Sequence, residues 1–556
     1  MRSLELQPLK KSPAALILLV ATLACLAYSM ASTSVQWIET TDLGLVTKLP
    51  IVYYAGLALL CCLWFISLKY KSYLPASLIL TVAYVYIAPA IIREPVWISN
   101  SYYPYGESLL IKSTGHLIDN PAQLLVSYRF WPMFLYFSSA FKIVSGMPDD
   151  VLLKFFPLFT VAMYGLLTTL VLRVKLALPY AIMGSSILVT GFFIRQQYFG
   201  PQAISYVFFL AILLLTTSLF FEKKGNTKTT IALILMLFVF TTATHPLTSF
   251  VLLMAFLALF LANRFTHFFS TKKLGYLGWL TIIAIIIWLI YNVLGAYAFF
   301  TTGLEHVWQI ILGLRDIVLY SEPSRIIGST AMQFNFITQW AIVGIIGAIS
   351  LLAIIQVFRN LRRKQPRMEY LLFNTILIVL LALFAFFGEY GTESYQRAFM
   401  FALLPLSFLC VSLLKRKPVL IVTLIAALIF LNIPAQYGAD SFRLATPTQI
   451  TGTAFIAEYA PQNTRIVGKI CYIYIKYNDP LKRFQIVNIG LDPPFTHLPN
   501  STVLNEALNQ ADYIAISNLQ HNYYVFYLGI DPMNQVNLDD FNKIYANGGF
   551  SLLKPM

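Results

Sequence analysis

Long apolar runs broken by short polar ones dominate this chain. About thirteen of them, 14–31, 50–68, 73–92, 151–172, 179–194, 201–221, 230–244, 247–263, 276–294, 336–357, 370–387, 398–414 and 418–432, read as membrane-spanning helices. Most have the roughly twenty apolar residues that a hydrocarbon core requires; 179–194 and 230–244 are shorter. Between 93 and 150 the pattern changes. I-R-E-P-V-W-I-S-N-S-Y-Y-P-Y-G-E-S-L-L-I-K-S-T-G-H is followed by Phe130, Phe134, Phe137 and Phe141, whose spacing predicts one apolar stripe on a helix. Pro132 suits that helix's first turn, and Gly146 with Pro148 suits its end. The loop is expected to form two short helices on a membrane surface.

The tail changes period again. Gly452–Tyr459 reads as a helix, Arg465–Val467 and Cys471–Ile475 as short strands, and Ala511–Ser517 as a buried strand. From Lys543 a terminal hairpin is predicted, turning at Asn547-Gly548. The predicted fold class is mainly α. A polytopic transmembrane bundle over 1–432, with a large outer loop at 93–150, precedes a small α/β domain at 433–556.

Composition agrees with a membrane class: 58% of the 556 residues are hydrophobic and 11% charged. A net charge of +15 is compatible with nucleic-acid binding, but the basic residues lie in short loops between apolar runs, where they set topology. With the N-terminus cytoplasmic, Arg2, Lys10 and Lys11, then Lys69 and Lys71, then Arg173 and Lys175 fall on one side. So do Lys223, Lys224 and Lys228; Arg264, Lys272 and Lys273; the cluster from Arg359 to Arg367; and Lys415, Arg416 and Lys417. No nucleic-acid partner is expected. The C-terminal domain is predicted to be extracytoplasmic, on a multi-pass protein of the cell membrane. An alternative for the start is a cleaved signal peptide ending near S-M-A-S-T-S, though the apolar run is long for one. The cysteines imply neither disulfide nor metal spacing. Asn500-Ser501-Thr502 is a glycosylation sequon on the predicted outer side.

Polar chemistry gathers on that outer side, and the middles of the spans hold almost no ionisable residues, which argues against an ion-coupled transporter. Arg93, Arg129, Arg195, Arg315, Arg325 and Arg397 break the positive-inside pattern. Arg195, next to Gln196, Gln197 and Tyr198, and Arg397, next to Gln396, sit at span ends where a guanidinium can bind phosphate bidentately. The competing reading is an ion pair with Glu389 or Glu393. Candidate carboxylates for taking a proton are Glu94, Glu107, Asp119, Asp149, Asp150 and Asp42, with Asp149-Asp150 better explained by the start of a helix. His116 and His245 can contact sugar or metal, or be satisfied interfacial histidines. Tyr102, Tyr103 and Tyr105 can stack on a sugar or belong to an aromatic belt. No ligand cluster has metal spacing; use of a divalent metal stays open.

Taken in order, N-S-Y-Y-P-Y-G-E-S-L-L-I-K-S-T-G-H-L, F-W-P-M-F, Q-Q-Y-F-G-P-Q-A, T-H-P-L-T-S-F, Q-R-A-F-M-F-A-L-L-P and the closing K-I-Y-A-N-G-G-F resemble the GT-C superfamily of polytopic glycosyltransferases, chiefly its archaeal and other prokaryotic members. The resemblance implies a helical bundle with an outer cavity, a catalytic acid in the first large outer loop, and a donor sugar carried on polyprenyl or dolichyl phosphate. The acceptor would be an envelope glycan, lipid or glycoprotein. By its spacing to T-G-H, the position where such proteins often carry aspartate holds Asn100, so the base falls to Glu107 or Asp42. No W-W-D-Y-G motif is present. The expected activity is sugar transfer at the membrane; the alternatives are a non-catalytic scaffold for envelope polymer assembly and a lipid-linked glycan flippase.

Overall fold

In the computed structural model, the described residues are 12–39, 42–117, 130–221, 227–266, 271–297, 301, 329–362, 394–444, 446–468, 471–479, 481–482, 484–487, 501–528, 531–535, 537 and 541–555. Ser12 opens the first helix, α1 (Pro13–Ser32). Its hydroxyl accepts the Ala15 amide, and Pro13 takes the first turn, where a missing N–H costs nothing. There follow α2 (Ile51–Ser67), α3 (Lys71–Ile92), α4 (Tyr102–Thr114), α5 (Met133–Ser145), α6 (Asp149–Arg173) and α7 (Leu178–Gly191). The bundle continues through α8 (Pro201–Phe221), α9 (Thr227–Thr244), α10 (Pro246–Thr266), α11 (Thr271–Gly295), α12 (Thr330–Arg362), α13 (Ser394–Leu414) and α14 (Pro418–Tyr437). Among the described residues nine helices are long and apolar enough to cross a membrane, and four shorter apolar helices accompany them. Side chains such as Ile17, Ile79, Trp279 and Leu351 are exposed on these helices, a surface suited to lipid. This is a multi-pass membrane protein. The predicted span 370–387 lies outside the described residues, as do Asp119, Arg129, Arg315, Arg325, Glu389, Glu393 and Asn500.

Tyrosines join the helices by donating to backbone carbonyls. Tyr53 donates to Tyr84 O (2.7 Å), Tyr84 to Thr22 O (2.7 Å), Tyr164 to Ala203 O (2.9 Å) and Tyr206 to Met400 O (2.9 Å). A buried phenol needs such an acceptor. Gly56 permits one of these approaches, since a Cβ there would lie 2.0 Å from the Tyr84 hydroxyl oxygen.

The 93–150 loop departs from expectation. Helix α5 begins after Pro132 and ends at Gly146 in the left-handed region (φ +60°), as the sequence suggests. Its aromatic stripe is split, however: Phe134 is buried, whereas Phe137 and Phe141 stack on each other and stay exposed together with Tyr136, Ile143 and Val144. Helix α4 is no surface helix. Residues 102–108, Leu110 and Ile111 are all buried, because the C-terminal domain covers the flank that the bundle leaves open.

That domain starts with α15 (Pro447–Tyr459) and continues through β1 (Thr464–Val467), α16 (Cys471–Asn478), β2 (Phe484–Val487), α17 (Ser501–Gln510), β3 (Tyr513–Ser517), α18 (Asn518–Leu528), β4 (Phe541–Ala546) and β5 (Phe550–Pro555). The sheet order is β2-β1-β3-β5-β4, with β1 parallel to β2 and β3, and β5 antiparallel to β3 and β4. Successive residues alternate faces. Ile466, Ala515 and Leu552 pack with Ile456 of α15 and Ile475 of α16, while Val467, Ile514 and Leu553 pack with Leu504 and Leu508 of α17 and Tyr524 of α18. The terminal hairpin forms as predicted, with Gly548 at φ +81°. Its closing residue is Asn547, whose amide donates to Phe550 O (3.1 Å) and whose side-chain oxygen accepts the Phe550 amide (3.0 Å). The predicted strand at Cys471–Ile475 is instead helix α16. The alternating C-Y-I-Y-I pattern fits a strand, but a helix turns Tyr474 toward α4 and Ile475 toward the sheet at once.

Candidate functional site

Two polar groupings lie at the end of the bundle that carries the C-terminal domain. The first is built around Arg195. Helix α14 ends at Tyr437, so the carbonyls of its last turn lack intrahelical donors. Arg195, in the segment between α7 and α8, and side chains of α12 supply them. Arg195 Nε donates to Gln436 O (2.8 Å), and Nη2 donates to Ala435 O (3.0 Å) and Asn335 Oδ1 (2.7 Å). Asn335 Nδ2 donates to Pro434 O (2.6 Å) and Ala435 O (2.9 Å), and Gln339 Nε2 to Ala435 O (3.1 Å) and Asn335 Oδ1 (2.9 Å). A cation at a helix C-terminus is favourable on dipole grounds as well. Gln396 Nε2 extends the network by donating to Gln339 Oε1 (3.3 Å). The neighbouring Arg397 is close enough for its charge to bear on His245, whose Nδ1 lies 3.0 Å from Thr248 Oγ1. Arg195, Gln396, Arg397 and His245, far apart in the chain, thus belong to one neighbourhood. Gln196 and Tyr198 are half-buried. Gln197 and Gln436 are wholly buried, and their amide groups find no hydrogen-bond partner among the described residues.

The second grouping is α4. Glu107 is 3% exposed there, in the same helix as buried Tyr102, Tyr103 and Tyr105. Tyr102 packs on Tyr474 and Tyr477 of α16 (ring centroids 5.2 and 4.8 Å), and the Tyr105 hydroxyl donates to Asp149 Oδ1 (2.6 Å). Asp149 and Asp150 sit in the first turn of α6, complementing its positive end. The cap residue itself is Pro148, and Asp149 also pairs with Lys142. The two groupings adjoin through Phe199, four residues after Arg195, which packs edge-on against Tyr105 (5.4 Å).

The remaining candidates lie elsewhere or are engaged locally. Asn100 is exposed in the turn before α4, and His116 is exposed beyond its far end, after Gly115. Asp42 accepts the Glu39 amide (3.0 Å) and the Thr47 hydroxyl (3.3 Å) and pairs with Lys48 (2.8 Å), whose affinity for its proton rises through that bond. Sequence reasoning missed Asp440. It is fully buried and accepts from Arg93 Nη1 (2.7 Å) and Trp97 Nε1 (2.9 Å), while the Arg93 guanidinium lies over the Trp97 and Tyr437 rings. The available signal was a carboxylate just past the last span, able to meet an arginine outside the positive-inside pattern. Among the described residues no group of three or more His, Cys, Asp or Glu gathers as a metal site.

Fold and packing define a class, a mainly helical multi-pass membrane protein with a small C-terminal α/β domain. No protein-family model matches the chain, and no curated protein matches it. Among solved structures it is similar to a crystal structure of the Archaeoglobus fulgidus oligosaccharyltransferase, determined in complex with zinc and sulfate. The match has 14% identity over 83% of this chain and 70% of that one, with a TM-score of 0.45.

Proposed function

We propose that the protein is an integral membrane glycosyltransferase. It moves a sugar from a polyprenyl- or dolichyl-phosphate carrier to an envelope glycan, lipid or protein on the outer face of the cell membrane. The observation that carries this reading is the meeting, through Tyr105 and Phe199, of a buried carboxylate helix with a buried cation-and-amide network. Buried amides without partners, such as those of Gln197 and Gln436, are costly in a core and are expected where polar groups are handled. The positive-inside distribution of lysine and arginine supports a cytoplasmic N-terminus and an outer location for the domain from about residue 433 onward.

Glu107 is the base of choice, because it is the buried carboxylate of the helix that meets the cation-and-amide network, whereas Asp42 lies apart from that network in a pair with Lys48. In the proposed step the acceptor hydroxyl gives its proton to Glu107 as its oxygen bonds the sugar C1. The C1–O bond to phosphate breaks, and the lipid phosphate leaves with the electron pair, beside Arg397 and His245. Arg195 holds the end of α14 in place next to them.

Purified protein reconstituted with a polyprenyl-phosphate sugar tests this. Glu107→Gln is expected to lower transfer by about 10²–10⁴-fold while thermal unfolding and gel-filtration behaviour stay unchanged. Full transfer by that variant removes Glu107 from the chemistry. Exposed Asn100 at the position where aspartate was expected favours a second reading, a non-catalytic scaffold for envelope polymers. Absence of any transfer by the wild type, with lipid-carrier binding intact, would support that one.

A further inference from the structure

The C-terminal sheet reverses its winding direction at β1. The chain passes from β1 to its neighbour β2 through α16 on one face, then returns over β1 to β3 through α17 on the other face. The carboxyl ends of β1 and β3 therefore feed helices on opposite sides of the sheet, α16 after Val467 and α18 after Ser517. Open α/β sheets place ligands in the crevice outside the carboxyl ends of their strands at such a switch point. Both helices begin there, so two positive helix ends converge on it.

A second observation comes from a side chain. Gln520, in the first turn of α18, is 3% exposed, and its amide nitrogen is buried with no hydrogen-bond partner among the described residues. It lies one turn before Tyr524, hence on the same helix face, and Tyr524 packs with Val467 and Ile514 of β1 and β3. Gln520 thus sits over the carboxyl edge of these two strands with an unused donor. The α18 backbone offers less, since the Gln520 amide already goes to Ser517 Oγ (3.2 Å) and the Asn518 amide to Gly549 O (3.0 Å). The next residue, Leu519, packs into the core of the membrane bundle, and Asn522 Nδ2 donates to Ser441 O (2.6 Å). Helix α18 therefore lies beside the bundle rather than at the domain's far side.

We infer that the β1/β3 switch point of the C-terminal domain is a second binding site, which takes a phosphoryl group on the side-chain Nε2 of Gln520 and the positive start of α16. This inference stands apart from the role of Glu107.

The test uses the full-length protein in detergent, with its unfolding midpoint followed against sodium phosphate at constant ionic strength. A saturable rise of about 3 °C is expected for the wild type. It should be lost in Gln520→Leu and in the near-isosteric Gln520→Glu, whose carboxylate repels an anion. The Glu107→Gln variant should keep the rise, so a failed transferase reading and a failed site are read separately. Protein in nanodiscs containing polyprenyl phosphate separates the sources. Stabilisation by inorganic phosphate assigns a soluble phosphoryl ligand, whereas stabilisation only by the lipid assigns a lipid head group. No saturable effect from either, or an equal effect in both Gln520 variants, overturns the site.

Discussion

The two helices of the 93–150 loop differ more in surroundings than in length. Helix α4 is polar and aromatic, Y-Y-P-Y-G-E-S, yet it is buried along most of its length. Helix α5 is apolar and aromatic, M-F-L-Y-F, yet Phe137 is 50% and Val144 87% exposed. For a water-soluble chain that pairing would be inverted. Here it follows from the solvent: an apolar face can be left to lipid, whereas tyrosine hydroxyls and a glutamate must be covered by protein that can satisfy them. The tail provides that cover, with Tyr474 and Tyr477 of α16 against Tyr102, and Arg443 O accepting the Ser99 amide (2.9 Å).

The largest expected effect comes from removing what pins the entrance to α4. Arg93 is 1% exposed, and its ion pair with Asp440 joins the start of the loop to the end of α14. Asp440→Ala leaves a buried guanidinium uncompensated and is expected to destabilise the fold by about 3–5 kcal/mol. Thermal unfolding in detergent would show it. Asp42→Ala, which breaks an ion pair with a half-exposed lysine, should cost no more than about 1 kcal/mol in the same measurement. Equal losses would mean that the Arg93 pair is no more than a surface contact and that α4 is held by its aromatic packing alone.

How much of this was legible in the sequence depends on the range of the interactions. Every predicted span apart from 370–387, which lies outside the described residues, coincides with a helix, because hydropathy and length are local properties. The caps of α5 and the terminal hairpin were readable for the same reason. The burial of α4 was not, since its partners are hundreds of residues away: Arg93 and Asp440 are 347 positions apart. Nor could spacing show that Arg195 would cap α14. Arg195 stood out as a cation at a span end, but the carbonyls it binds belong to another helix, and Asn335 and Gln339 carry no signal within an apolar run. Helix α16 was misread because alternation is a strand signal only when a single face is buried.

An intermediate effect is expected from one atom between α4 and α6. Tyr105→Phe keeps the ring against Phe199 and removes only the hydroxyl that donates to Asp149. Asp149 keeps Lys142 as a partner and is partly exposed, so the loss should be about 1–2 kcal/mol. A loss as large as that of Asp440→Ala would show that this hydrogen bond, rather than the Arg93 pair, locks α4 to the bundle.

The smallest effect belongs to α5, and it sharpens the contrast from the other side. Val144→Ser changes a side chain that touches little protein, so unfolding in detergent should move by no more than about 0.5 kcal/mol. In lipid the same change replaces an apolar contact with a hydroxyl. Depth-dependent quenching of a fluorophore attached to α5, by lipids brominated along their chains, should then fall for Val144→Ser relative to the wild type. Quenching that is absent in the wild type would place this face in water, and the apolar exposure of α5 would then call for a protein partner instead of a bilayer. The two helices would still differ in what covers them, but the solvent could no longer be the reason.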